Sequence, residues 1–152
     1  MKKFILILFL FPSTICFAKK DDISDLMKID ITKINNNAVR TIDGDTVEII
    51  DLELPKHLKP KIFRVYGIDT PESKKQFAKC KKEIELGLKA KKFTEDFLGD
   101  IAFASFLDHP DKYGRILINI RNAQGQDLAP ELIKAGLAVE YFGDKKTKNW
   151  CK

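Results

Sequence analysis

The sequence predicts an α+β fold, a small Greek-key barrel of the OB-fold type, from three observations. There are five short β-rich runs, a longer amphipathic helical segment lies between the third and fourth of them, and turn residues punctuate the joints. At 152 residues the chain suits one domain. Its content, 44% hydrophobic and 32% charged, is that of a globular protein with a real core.

The first run covers residues 38–42, and Asp43-Gly44 reads as the turn out of it. Thr46 to Ile50 alternates as a second strand. Residues 51–60 hold Pro55 and Pro60 and read as a loop. Residues 61–68 read as one continuous third strand, with Ile62, Arg64, Tyr66 and Ile68 on one face and Phe63 and Val65 on the other. A helix is predicted over residues 82–98. Its stripe is Leu86, Ala90, Phe93 and Phe97, and Gly99 fits its C-terminal end. Residues 101–107 and 115–120 are the fourth and fifth strands. Asp127 is placed to cap a short helix with Pro130 in its first turn, Leu128, Leu132 and Ile133 facing inward, and Gly136 at its end. Residues 137–142 are apolar enough to pack on the core, and the tail from Gly143 is basic.

The chain divides on composition into a leader (1–18), a polar N-terminal arm (19–37), the folded domain (38–142) and a basic C-terminal tail (143–152). Lys2 and Lys3 precede an uninterrupted apolar run from Phe4 to Phe11. Cys16-Phe17-Ala18 then supplies small residues before a cut, the layout of a secretory signal peptide. The run is short of the roughly 20 apolar residues that a membrane span needs. Export is therefore expected, to the periplasm or beyond, with no stable membrane association once the leader is gone. Losing the leader removes Cys16 and leaves two cysteines, Cys80 and Cys151, whose even number in an oxidising compartment suggests a disulfide. Formal charge is +5, and +3 without Lys2 and Lys3. That excess suits a polyanionic partner without requiring one. Nothing in the sequence demands an oligomer, and a monomer is expected.

Four groups could carry chemistry: Asp43-Gly44-Asp45-Thr46, Arg64, Asp69-Thr70-Pro71-Glu72 and Asp111-Lys112-Tyr113-Gly114-Arg115. Singly, each has an ordinary explanation as a turn, a strand exit or a surface arginine. Together they form a set. Asp45 and Asp69 lie at the edges of adjacent strand runs, so two carboxylates can converge at one end of a barrel. Hard oxygen ligands select calcium or magnesium. His57 and His109 stand apart, so no zinc cluster is evident. An EF-hand reading fails because Val47 takes a position that needs an oxygen ligand. Glu72, across a rigid proline turn from Asp69, could orient or deprotonate a water. Arg64 and Arg115 could grip phosphate oxygens and stabilise added charge in a pentacoordinate transition state. These parts suffice for phosphoryl transfer to water.

IDGDTV (residues 42–47), FRVYGIDTPE (63–72), KYGR (112–115) and ELIKAGLA (131–138) resemble, in order and spacing, the staphylococcal nuclease family, the thermonucleases. The resemblance covers residues 38–142. It implies an OB-fold, five-stranded Greek-key β-barrel with about three helices and a calcium-dependent nuclease acting on DNA and RNA. Ca2+ would be held by Asp45, Asp69 and the carbonyl of Thr70. Glu72 would be the general base or water-positioning group, and Arg64 and Arg115 the phosphate-binding arginines. Lys112 and Tyr113 would bind a terminal phosphate, with Tyr141 beside the nucleotide base. Cleavage would leave 3′-phosphates. In this chain Tyr141 and Phe142 are adjacent, where the best-known member has two aromatics spaced two apart. Two readings from other classes stand beside the enzyme: a non-catalytic nucleic-acid-binding OB module, which would not need the whole acidic and arginine set, and a calcium-stabilised structural domain, which leaves Arg64, Glu72 and Arg115 without a common reason.

Overall fold

A computed structural model describes residues 34–35, 39–50 and 62–152 of the chain. The leader, most of the N-terminal arm and the proline-bearing loop at 51–60 lie outside the described residues. The elements in chain order are β1 (Ile34–Asn35), β2 (Val39–Asp43), β3 (Thr46–Ile49), β4 (Ile62–Val65), β5 (Ile68–Asp69), α1 (Lys81–Leu98), β6 (Ile101–Pro110), β7 (Ile116–Asn122), α2 (Leu128–Lys134) and β8 (Val139–Glu140).

One mixed sheet runs in the order β1-β6-β7-β4-β3-β2. Five of its strands are the five that the sequence predicts, and β1 adds a two-residue pairing, Ile34 with Ala102 and Asn35 with Ile101, from within the segment read as an arm. The β4–β7 pair is parallel and the other ladders are antiparallel. The architecture is α+β and compatible with an OB-like fold. Among the described residues no ladder joins β2 to β6 or β1, so the sheet is not shown to close into a barrel. Two helices are described, not three.

The third strand is also shorter than expected. A turn at Tyr66-Gly67 ends β4, where Gly67 adopts φ +80°, a conformation that favours glycine. The chain re-enters as β5, which pairs with β8 in a separate two-stranded ladder. Within β4 the predicted alternation holds: Phe63 and Val65 enter the core, and Arg64 lines the cleft with Ile62. Phe63, Arg64 and Val65 are all buried, while Ile62 is the exposed one. A core lies on one side of β4 and the polar cleft described below on the other, so both faces are covered.

The core unites Val47 and Ile49 of β3, Phe63 and Val65 of β4, Ile118 and Ile120 of β7, and Leu128 and Leu132 of α2. In α1 the buried line is Glu83, Gly87, Ala90, Thr94 and Leu98; it shares Ala90 with the expected stripe and otherwise runs one position beyond Leu86, Phe93 and Phe97. Phe93 and Phe97 flank it half-buried and stack on each other. Small residues hold the centre of this face because the helix lies close against backbone. A Cβ on Gly87 would come within 2.6 Å of the Glu72 carbonyl carbon and oxygen and of the Ser73 nitrogen. A Cβ on Gly44 would meet the Ala90 Cβ at 2.7 Å. Cys80 caps the helix, accepting from the Glu83 N–H, and the Glu83 carboxylate accepts from the Lys79 N–H at 2.6 Å. This reciprocal arrangement resembles a capping box. Asp127 stands at the N-cap of α2 but makes no side-chain cap. Its carboxylate accepts from Arg121 Nε at 2.9 Å instead.

Candidate active site

The acidic and basic residues singled out from the sequence meet in a cleft of about 860 Å³ at one end of the sheet. Asp45 leaves the β2–β3 turn, Arg64 sits in β4, and Asp69 ends β5. Thr70, Pro71 and Glu72 follow directly. Short strand ends and tight turns therefore carry the polar groups, while the hydrophobic strand interiors fix their position.

Arg64 is the hub. Its Nη1 lies 2.8 Å from Asp45 Oδ1, and its Nη2 lies 2.8 Å from the Ile68 carbonyl and 3.4 Å from Asp69 Oδ1. All three charged side chains are buried. An unpaired charge at such depth would cost several kcal/mol, and the geometry pairs each of them. Burial works against the Arg64 charge, but Asp45 and Asp69 outweigh it and hold its pKa above the ordinary value. Asp45 is further fixed by the Thr46 hydroxyl (2.9 Å, to Oδ1) and the Thr70 N–H (2.9 Å, to Oδ2). Behind it, the Thr94 hydroxyl of α1 donates to the Gly44 carbonyl at 2.7 Å. The helix thus holds the Asp45 turn by a hydrogen bond and by close approach, and Glu72 by the close approach at Gly87.

Glu72 is partly exposed at the cleft wall. Burial pushes its carboxyl above the ordinary carboxylate range, Lys146 pulls it back in part, and Asp45 and Asp43 push it further up. The Lys146 ammonium lies 2.8 Å from Asp69 Oδ1 and 3.4 Å from Glu72 Oε1. It links two carboxylates that otherwise make no direct contact in the described structure. Asp43 adds a fourth acid to this wall and is hydrogen-bonded by the Ser73 hydroxyl.

The opposite wall belongs to the loop after β6. Asp111 Oδ1 accepts the N–H groups of Tyr113 (2.9 Å) and Arg115 (2.8 Å), and Oδ2 takes Arg115 Nε and Nη2, both at 2.6 Å. This carboxylate folds the loop and aims the guanidinium in one stroke. Gly114 at φ +78° completes the turn. Tyr113 projects outward, and Lys112 donates to the Tyr141 hydroxyl and the Gly143 carbonyl, each at 3.2 Å. A second recess of about 330 Å³ opens beside the cleft and shares Arg64, Tyr113, Arg115 and Tyr141 with it. Lys112 and the Tyr66–Phe142 pair (5.6 Å between centroids) line it. Phe142 is exposed rather than packed into the core, against the expectation for residues 137–142; its ring lies over Gly67 and against Tyr66 at the edge of this recess.

The structure thus assembles Asp45, Arg64, Asp69, Thr70, Glu72, Tyr113, Arg115 and Tyr141 in one cleft, with Lys112 in the adjoining recess. Cys80 and Cys151 are joined by a disulfide with their Cα atoms 6.0 Å apart. Their sulfurs also group with Glu83, but bonded sulfurs do not offer the thiolates a metal would take. Lys146, Gly87 and Thr94 belong to the site's framework, and no sequence signal singles them out; Gly44 reads from sequence as a turn residue, and the structure adds its close contact with Ala90. Lys146 lies in a run of tail lysines, and Gly87 acquires meaning only once the helix is docked.

Two buried aspartates, a carboxylate on a proline turn and two carboxylate-anchored arginines thus line one cleft of a mixed-sheet α+β architecture. Residues 62–150 match the family of staphylococcal nuclease homologues, and the chain belongs to that family. Among curated proteins it is 28% identical over 108 residues to an uncharacterized endonuclease of Escherichia coli, covering 71% of this chain and 61% of that protein. A counterpart in Escherichia coli O157:H7 is 27% identical over the same coverage. The chain spans about three-fifths of the length of these relatives. No described helix is long and apolar enough to cross a membrane.

Proposed function

We propose that the protein is an exported, calcium-dependent nuclease that hydrolyses phosphodiester bonds of DNA and RNA and leaves 3′-phosphates. The observation that carries this reading is the Asp45–Arg64–Asp69 cluster, which faces Glu72 and Arg115 across one cleft. Family membership and the endonuclease names of the relatives support the reaction class. The disulfide and the leader at residues 1–18 support an oxidising, exported setting.

The donor set fits a hard divalent cation. Asp45 and Asp69 offer buried carboxylate oxygens, and the position beside Asp69 already draws a cationic group, the Lys146 ammonium at 2.8 Å. Asp45, Asp69 and the Thr70 carbonyl would hold calcium, which supplies positive charge at the scissile phosphate. Arg64, oriented by Asp45 and the Ile68 carbonyl, presents its remaining N–H donors to a phosphate oxygen. Arg115, oriented by Asp111, does so from the other wall. Glu72 takes a proton from the attacking water, whose oxygen bonds to phosphorus as the bond from phosphorus to the 5′ oxygen breaks. The leaving oxygen gains a proton from solvent. Lys112 and Tyr113 bind a terminal phosphate, and Tyr141 lies against the nucleotide.

The test is incubation of the chain lacking residues 1–18 with single-stranded DNA in calcium, in magnesium and in chelator. Cleavage with calcium alone and 3′-phosphate ends is the expected result. Binding without cleavage in all three would favour a non-catalytic OB module.

A further inference from the structure

The basic tail and the disulfide have no part in the chemistry above, yet they meet the site at one residue. The tail is anchored at both ends. At its start the Tyr141 N–H donates to the Gly67 carbonyl at 2.9 Å, and Lys112 Nζ donates to the Gly143 carbonyl at 3.2 Å. At its end Trp150 is buried, Cys151 is bonded to Cys80 at the N-cap of α1, and Lys82 donates to the Lys152 carbonyl. Between these anchors Lys146 reaches into the cleft, to Asp69 Oδ1 and Glu72 Oε1.

We propose that residues 143–151 form a strap, clipped by the Cys80–Cys151 disulfide, that delivers the Lys146 ammonium to Asp69 and Glu72 as an internal cation competing with the divalent metal. The inference rests on the calcium reading given above. Its physical basis is mutual exclusion. A calcium ion bonds carboxylate oxygens at about 2.3–2.6 Å, and Asp69 Oδ1 already faces the Lys146 ammonium at 2.8 Å and Arg64 Nη2 at 3.4 Å. Calcium at Asp69 would add a third cation to this crowded carboxylate, and the more exposed Lys146 ammonium, unlike the buried Arg64, is free to yield. Lys146 is half exposed, so its hold is that of a partly solvated ion pair and a metal can displace it. The strap thereby sets the calcium concentration at which the site loads. It also neutralises the acidic wall when the metal is away.

The experiment is calorimetric titration of calcium into the substrate-free chain, comparing wild type with Lys146→Gln, Lys146→Arg and Cys151→Ser. Because a partly exposed ion pair is weak, Lys146→Gln is expected to bind calcium about two- to fivefold more tightly. Lys146→Arg, which keeps the charge, stays near wild type. Cys151→Ser, which frees the end of the strap, shifts toward the Gln variant. Unchanged or weaker binding in Lys146→Gln overturns competition. Equal tightening in the Arg and Gln variants overturns the role of the charge. Wild-type affinity in Cys151→Ser overturns the disulfide's role as a clip. A wild type that binds no calcium overturns the calcium reading itself, and the strap with it, which separates the two failures.

Discussion

Arg64 and Asp45 form a buried ion pair, Nη1 to Oδ1 at 2.8 Å, and the pair joins β4 to the β2–β3 turn at the floor of the cleft. The guanidinium meets Asp45, Asp69 and the Ile68 carbonyl from one planar fork. A lysine keeps the charge but has neither the plane nor the number of donors. Arg64→Lys is therefore expected to fold and to lose about 100- to 1,000-fold in kcat, the scale for removing one preorganised donor. Circular dichroism would establish folding, and near-normal turnover would remove Arg64 from the chemistry.

Glu72→Gln removes the base without changing size. It is expected to leave calcium affinity within a few-fold and to lower kcat by about 100- to 10,000-fold. Single-turnover cleavage beside a calcium titration separates the two effects. A loss confined to KM would reassign Glu72 to binding.

The same residue gives a pH signature in metal-free protein. Its folded pKa is raised, chiefly by burial. Its neutral form therefore favours the fold, and that contribution is present below the unfolded pKa and lost as pH rises through the folded one. The stability of Glu72→Gln relative to wild type is expected to increase over that interval and then level off. Denaturant melts at a series of pH values in chelator measure this. A flat difference would mean that the burial of Glu72 has no energetic effect.

Gly87→Ala drives a methyl into the Glu72–Ser73 backbone, where the ideal Cβ would sit 2.6 Å from three atoms. Overpacking against backbone costs about 1–3 kcal/mol. The thermal midpoint and kcat should fall together, because the displaced segment carries Glu72. A variant that loses stability but keeps full kcat would show that the helix supports the fold without positioning the base.

Cys151→Ser opens a loop of 71 residues in sequence separation. The chain-entropy relation gives about 4 kcal/mol for a loop of that size, or roughly 10 °C in a domain this long. The shift is expected under oxidising conditions and should vanish when wild type and variant are both melted in reductant. Equal midpoints in oxidant would mean that the bridge adds no stability.

The sequence by itself determined the order of the five main strands and the two helices, named the acidic and arginine residues that meet in the cleft, and suggested a Cys80–Cys151 bond. Local pattern carries those, since alternation, turn residues and short motifs are read within a few positions. It failed where long-range packing decides. Residues 61–68 read as one strand, but the turn at Tyr66-Gly67 ends β4 and sends Ile68 into β5 against β8, so the predicted faces hold only within β4, where Phe63 and Val65 enter the core and Arg64 lines the cleft with Ile62. Apolar spacing in α1 selects Leu86, Ala90, Phe93 and Phe97, of which only Ala90 is in the buried line. The buried line passes through Gly87 and Thr94, which only the docked helix against Gly44 and Glu72 can select. Lys146 lies 74 positions from Glu72 in sequence, in a run of similar lysines, and no local signal distinguishes it. Its place beside Asp69 is decided by tertiary structure, because the anchors at Gly143 and Cys151 fix where a flexible cation can reach.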